Sequence, residues 1–152
     1  MAISTGAAIE FFGTQDTLGT SSAAVANAAF SIASDLSTWV NDDDAPMASV
    51  TLLANFAVAP AANTLVNLYL RLLDVQSTND GTVPDANFQH TYLGSFPLND
   101  VTTAQYIPIT ISLPNTYTSQ AYNFHIENQS GQSLPASNWS LNITPKTIGG
   151  AA

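Results

Sequence analysis

Residues 48–58, with the sequence ASVTLLANFAV, show the clearest alternation of apolar and polar side chains in the chain. The apolar positions of this alternation are Ala48, Val50, Leu52, Ala54, Phe56 and Val58. Between them lie Ser49, Thr51 and Asn55, and only Leu53 and Ala57 interrupt the polar side. A period of two is typical of a β-strand with one buried face. The stretch therefore predicts a strand that contributes one face to a hydrophobic core.

Other segments follow the same pattern. The alternation is equally regular in residues 107–113, 122–126 and 139–143, and it predicts three more strands. Because Pro108 has no N–H group to donate to a neighbouring strand, the first of these is expected at a sheet margin. Residues 64–74 fit either a strand or a helical stripe, and we favour the strand.

Weaker patterns complete the prediction of the fold. Residues 88–96 and 30–40 are further strand candidates, and the Ala-rich residues 23–29 are a candidate for one short helix. Turn-forming Pro, Gly, Asn and Asp residues separate the segments. Seven or eight short strands without a long helix indicate an all-β protein, a single β-sandwich that is jelly-roll-like and carries an extended N-terminal arm.

The length of 152 residues suits one domain with one hydrophobic core. We expect an N-terminal arm or edge strand over residues 1–20, the β-sandwich over residues 21–146 and a C-terminal tail over residues 147–152. Terminal segments of this kind are often ordered only by a neighbouring molecule.

An apolar patch lies inside the N-terminal segment and consists of Ile9, Phe11 and Phe12. If residues 1–20 form an arm, these side chains are the expected partner-binding residues. The alternative is that they belong to an ordinary edge strand.

The composition limits the possible partners. Charged residues make up 9% of the chain, against about 25% in a typical domain, and neutral hydrogen-bonding residues replace them. We interpret this surface as suited to assembly, although an unusual soluble domain has the same composition. The net charge is −9, and Arg71 and Lys146 are the only Lys or Arg residues. Nucleic acid and anionic membranes are therefore not expected partners.

No export signal or membrane-spanning segment is expected. The first residues lack a basic region followed by an apolar run, and no stretch reaches the roughly 18 apolar residues of a membrane span. Cysteine is absent, which excludes disulfides and thiolate chemistry.

Catalytic residues are not evident, and we expect a protein that is not an enzyme. His90 and His125 are the only histidines, and neither belongs to a recognisable motif. The parity of residues 122–126 predicts that His125 points outward beside Asn123 and Glu127. A structural role is expected for both histidines.

Three consecutive carboxylates, Asp42, Asp43 and Asp44, form the densest group of oxygen ligands. Together with Asp80 or Asp85 they would suit Ca²⁺, but the spacing is not that of an EF-hand. A solvated acidic turn is the favoured interpretation, and no cofactor or metal is predicted.

The two tryptophans are expected to differ in their exposure to solvent. Trp139 shares parity with Leu141 and Ile143, which places it in the core. Trp39 lies near the acidic turn and is a candidate for exposure, where aromatic rings of β-sandwich modules bind sugars. Packing of Trp39 against a neighbouring strand is the favoured interpretation.

Several short motifs occur from residue 63 onward. They are VNLY (66–69), STND (77–80), VPDA (83–86), HTYLGSF (90–96), VTTAQY (101–106), IEN (126–128), WSL (139–141) and TPKT (144–147). In these motifs the chain resembles small virion proteins from the structural modules of tailed bacteriophages, specifically head decoration (cement) proteins.

The resemblance implies a non-enzymatic, jelly-roll-like protein on the outer capsid surface, assembled in the host cytoplasm, that cements neighbouring major capsid subunits. We also expect a homo-oligomer, a trimer or dimer, because closed oligomers cover apolar edge strands, such as residues 48–58 in this interpretation. The alternative function is a tail- or fibre-associated module that binds a host glycan through Trp39.

Overall fold

The computed structural model describes residues 8–19, 22–76, 78–89 and 91–150, and this part of the chain contains ten strands and no helix. The strands are β1 (Ala8–Phe12), β2 (Asp16–Leu18), β3 (Ala29–Phe30), β4 (Trp39–Val40), β5 (Met47–Ala54), β6 (Leu65–Leu72), β7 (Tyr92–Pro97), β8 (Gln105–Ser112), β9 (Ala121–Gln129) and β10 (Trp139–Gly150). Consequently no helix within these ranges is long and apolar enough to cross a membrane.

Two antiparallel sheets face each other. The first has the order β1-β10-β5-β8, with β2 also beside β10, and the second has the order β3-β9-β6-β7, with β4 also beside β9. Since β5 occupies one edge of β10, both β1 and β2 lie on its other edge and act as one interrupted strand. The strands β3 and β4 share β9 in the same way.

The connections define the topology. When each interrupted strand is counted once, the chain passes from one sheet to the other at every connection except the β6–β7 link. Eight strands arranged in this way form a jelly roll. The predicted all-β sandwich is thus confirmed.

The core lies between the sheets. Along β5 every second residue is buried, and its partners on β10 are buried as well, with Leu52 opposite Leu141 and Val50 opposite Ile143. The predicted alternation is confirmed, but the strand ends at Ala54, and Val58 is exposed instead of buried.

The position of β5 corrects one expectation. Residues 48–58 were predicted to include an edge strand, but β5 lies between β10 and β8. One edge of the first sheet is β8, where Pro108 lies opposite Thr51. The predicted marginal position of Pro108 is confirmed.

The weaker segments differ in detail. Residues 30–40 do not form one strand. Phe30 ends β3, Trp39 and Val40 form β4, and a turn lies between them. Residues 23–29 contain no helix, and Val25 instead forms an isolated bridge with Leu134. The strand predicted over residues 88–96 begins at Tyr92, because Asp85 and Phe88 close a separate turn before it.

The chain ends also differ from expectation. Residues 147–150, predicted as tail, continue β10 and pair with β1, while residues 151–152 lie outside the described ranges. At the N-terminal end, residues 8–12 and 16–18 are strands at the sheet edge, which is the edge-strand alternative to an arm, and residues 1–7 lie outside the described ranges.

Candidate interface on the terminal ribbon

The first and last strands form a ribbon that extends beyond the sandwich. The strand β5 accompanies β10 only as far as Lys146, whereas β1 pairs with β10 from Lys146 to Gly150. Residues 8–11 and 147–150, which we call the terminal ribbon, therefore pair only with each other among the described residues. A two-stranded ribbon alone is at best marginally stable in water.

Large apolar side chains on and beside the terminal ribbon face solvent. The exposed fractions are 46% for Ile9, 50% for Phe11, 59% for Phe12 and 55% for Ile148. The structure therefore places Ile9, Phe11 and Phe12 on an edge strand and adds Ile148 to the same surface. The sequence pattern missed Ile148, because it lies in the predicted tail.

Each face of the ribbon carries at least one exposed large apolar side chain. Directly opposed residues of an antiparallel pair point to the same face, so Ile9 and Phe11 share a face with Gly149 and Thr147. Ile148 lies on the other face, opposite Glu10. The ring of Phe11 covers Gly149 so closely that a Cβ atom there would lie 2.9 Å from Phe11 Cε2. The absence of a side chain at Gly149 lets the Phe11 ring lie across the backbone here.

The base of the ribbon is fixed to the sandwich. The backbone N–H of Gly13 donates to the carbonyl oxygen of Pro145 at 2.9 Å. On the outer side, Lys146 Nζ lies 3.1 Å from Glu10 Oε1. A groove of about 270 Å³ at this junction is lined by residues that include Phe11, Asp43 and Pro145.

The free edge of β1 is a second feature of this surface. β1 pairs with β10 on one side and with no described residue on the other. Its outward N–H and C=O groups are available to another strand, as expected for an uncovered sheet edge.

The acidic turn does not gather the other predicted cation ligands. The Asp44 carboxylate accepts a hydrogen bond from Ser119 N at 2.7 Å. Asp80 instead pairs with Arg71 at 3.4 Å, and Asp85 caps its own turn through Asn87 N. Within the described ranges, no group of three or more His, Cys, Asp or Glu residues is arranged to hold a metal ion.

The favoured interpretation of Trp39, packing against a neighbouring strand, is confirmed, and exposure of its ring is not observed. Only 4% of Trp39 is exposed, and its ring stacks on Tyr122 with a centroid distance of 5.7 Å. Its Nε1–H donates to Asp16 Oδ2 at 2.9 Å. Trp139 lies in the core, as predicted. Trp39 is thus unavailable to a ligand.

His125 lies on the outward side of β9, as the parity predicts, but it is covered instead of exposed. Its side chain is fully buried, with Nδ1 3.3 Å from the carbonyl oxygen of Ser31. Nε2 has no hydrogen-bond partner among the described residues. Burial lowers the pKa of His125 below its ordinary value, so the neutral imidazole is favoured. The other histidine, His90, lies outside the described ranges.

Glu127, next to His125 in parity, is buried in a polar network. Its carboxylate accepts hydrogen bonds from Asn67 Nδ2 at 2.9 Å, Tyr69 OH at 2.8 Å and Gln129 Nε2 at 2.6 Å. Burial alone would raise the pKa of Glu127, but these hydrogen bonds outweigh it and lower the pKa. Burial and the bond to Glu127 raise the pKa of Tyr69 to about 12. Such a stabilised carboxylate is poorly suited to donating a proton.

Similarity to known proteins is found among solved structures. No protein-family model and no curated protein matches the chain. Among solved structures, "CBM35 from Cellvibrio japonicus Abf62" is 12% identical with a TM-score of 0.46, covering 96% of this chain and 99% of that one.

Two viral structures are also similar. "Desmodium yellow mottle tymovirus" is 14% identical with a TM-score of 0.36, covering 96% of this chain and 88% of that one. "Structure of infectious bursal disease virus Gx strain" is 12% identical with a TM-score of 0.36, covering 93% of this chain and 32% of that one. The class defined by the structure itself is that of jelly-roll β-sandwich proteins.

Proposed function

We propose that this chain is a non-enzymatic structural protein of a virion, a decoration (cement) protein that binds the outer capsid surface through the terminal ribbon. The observation that carries the proposal is the extension of the ribbon beyond β5, where large apolar side chains on both faces are exposed. The assignment to tailed bacteriophages rests on the sequence resemblance. The expected partner is the major capsid protein.

The energy of such a contact favours many weak attachments. Complete burial of a large apolar side chain contributes about 1.5–3 kcal/mol. Four half-exposed side chains therefore offer roughly 4 kcal/mol, before association costs are subtracted. One ribbon alone binds weakly, but copies linked in a dimer or trimer present their further contacts at high effective concentration. A homo-oligomer on the shell would therefore bind more tightly than a monomer.

The charge distribution of the chain favours a contact with its partner that does not depend on ion pairs. Both basic side chains are engaged, Arg71 with Asp80 and Lys146 with Glu10. The net charge of −9 leaves no basic surface for phosphates. We therefore propose a protein partner and neither nucleic acid nor a membrane.

Co-sedimentation with capsid shells tests the proposal. The double variant Phe11→Ser/Ile148→Ser removes one apolar residue from each face of the ribbon. Val75→Ser is the matched control, because Val75 is 74% exposed and lies in a turn outside the ribbon. We expect the wild type and the control to co-sediment with the shells and raise their disruption temperature, as a ligand of the assembled state does. Equal binding by the ribbon variant would refute the assignment.

A second candidate function is recognition of a host glycan by a tail- or fibre-associated module. The burial of Trp39 removes the residue on which this hypothesis first depended. Another surface favours it, however: a groove on the outer face of the first sheet.

A further inference from the structure

A groove of about 490 Å³ crosses the outer face of the first sheet. We call it the amide groove, and the side chains used in the argument are Leu53, Asn55, Tyr106, Asn138, Ser140 and Asn142. It lies near the beginning of β10, whereas the terminal ribbon is at the end of that strand. The inference below therefore does not rest on the proposed capsid attachment.

Three residues in register across the first sheet form the floor and one wall of the amide groove. Leu53 lies opposite Tyr106 on β8 and opposite Ser140 on β10. Neighbouring strands are about 4.8 Å apart, so these three residues span about 10 Å across the sheet. Tyr106 is 68% exposed and lies on the edge strand β8, while Leu53 is half-buried on the neighbouring strand β5. This geometry gives an aromatic wall beside a narrow floor.

Hydrogen-bonding groups around the floor are unused. The Tyr106 hydroxyl and the Asn55 amide make no side-chain hydrogen bond to any described residue, and neither does the hydroxyl of Ser140, which is buried with 8% of the residue exposed. Asn142 Oδ1 accepts from Thr17 Oγ1 at 2.9 Å, which leaves its NH₂ group available. Amide side chains both donate and accept, and hydroxyl groups do the same.

The groove is also uncharged. Every residue that lines it is neutral, in a chain with a net charge of −9. Because Arg71 and Lys146 are held in ion pairs elsewhere, an anionic ligand would meet no compensating charge here. A wholly apolar occupant would bury the free amides without partners, at a cost for each group. The chemistry that fits is a neutral molecule with many hydroxyl groups and an apolar face.

We propose that the amide groove binds a neutral oligosaccharide. One pyranose ring packs its C–H face against the ring of Tyr106, which offers an apolar body and a polar tip. The sugar hydroxyls then exchange hydrogen bonds with the exposed Asn55 and the half-buried Asn142. A concave site with an aromatic wall and a few convergent polar groups is typical of small-ligand recognition.

NMR titration of the ¹⁵N-labelled full chain tests the proposal. The probes are neutral gluco-, manno-, galacto- and xylo-oligosaccharides, together with sialylated and sulfated oligosaccharides as anionic probes. We expect at least one neutral class to shift the side-chain amide signals of Asn55 and Asn142 saturably. Tyr106→Ala should weaken that binding about tenfold or more, the factor that corresponds to about 1.4 kcal/mol.

Matched variants separate stacking from general damage. Tyr106→Phe keeps the ring and should retain most of the affinity. Tyr92→Ala removes another exposed tyrosine, from β7 of the second sheet, and should leave the affinity unchanged. Asn142→Asp keeps the side-chain size but removes the free NH₂ donor, so it should weaken binding as well. Backbone spectra of each variant verify the fold.

Three results would overturn the inference. One is the absence of binding by every neutral probe at millimolar concentration. Another is binding only by the anionic probes. The third is binding of a neutral probe that shifts signals away from the groove and is unaffected by both Tyr106→Ala and Asn142→Asp.

Discussion

The imidazole of His125 is fully buried although it projects from the outward side of β9. Its Nδ1 lies near the carbonyl oxygen of Ser31, while Nε2 has no partner among the described residues. Protonation would place a charge and an unpaired N–H group in this environment, which is costly. His125 is therefore a source of acid sensitivity in the folded protein.

This environment predicts a specific pH dependence of stability. Because the pKa of His125 is lowered on folding, its contribution is fully present above the unfolded pKa of about 6.5 and is lost as the pH falls below it. The loss is at most about 1.4 kcal/mol per pH unit. His125→Asn keeps an N–H donor near the Nδ1 position but does not titrate, so its free energy of unfolding should change less between pH 7 and pH 5.5.

Urea unfolding of both proteins at the two pH values measures the difference. The pKa of Glu127 is also lowered, but its usual value is 4.5, so its effect belongs to more acidic conditions. His90 is present in both proteins and cancels in the comparison. Identical pH dependence in the wild type and His125→Asn would contradict the account.

Burial of individual residues was predictable where alternation alone decides it. Val50, Leu141 and Ile143 face the other sheet, as the period of two predicts. His125 and Trp39 were not predictable in this way. Alternation tells which side of a strand a residue occupies, but not whether a distant segment covers that side, as Ser31 does for His125.

At the scale of elements, the terminal ribbon is the least expected feature. The composition of residues 147–150, Thr-Ile-Gly-Gly, indicates no strand by itself. They become one because residues 8–11, from the opposite end of the chain, supply the pairing partner. Pairing over such a separation leaves no local pattern. The two glycines belong to this strand, and Gly149 provides the space for Phe11.

The free edge of β1 leads to a prediction about self-association. With residues 48–54 inside the first sheet, β1 replaces β5 as the edge that an oligomer would cover. We predict a dimer or trimer of the full chain in solution. Ile9→Lys places a charge on this edge, a common means of preventing strand pairing, and should shift the protein to monomers.

Light scattering coupled to size-exclusion chromatography measures this change. Thr14→Lys is the control, because it adds the same charge to an exposed residue of the same segment that is not in a strand. A monomeric mass for the wild type at every concentration would refute the predicted oligomer. An unchanged oligomer in Ile9→Lys would refute the role of β1.

At the scale of the molecule, the jelly roll separates two surfaces along β10. One end of the strand carries the terminal ribbon, and the other end borders the amide groove. The fold class followed from the number of short alternating segments. The strand order did not, because almost every connection crosses between the sheets and each pairing joins segments distant in sequence.

Cryo-electron microscopy of the proposed parent virion tests the central claim most directly. The account predicts 15.9 kDa jelly-roll densities on the outer capsid surface, in clusters of two or three, with the terminal ribbon against major capsid subunits. Density only at the tail tip, no density, or a capsid-bound protein whose ribbon points into solvent would contradict it.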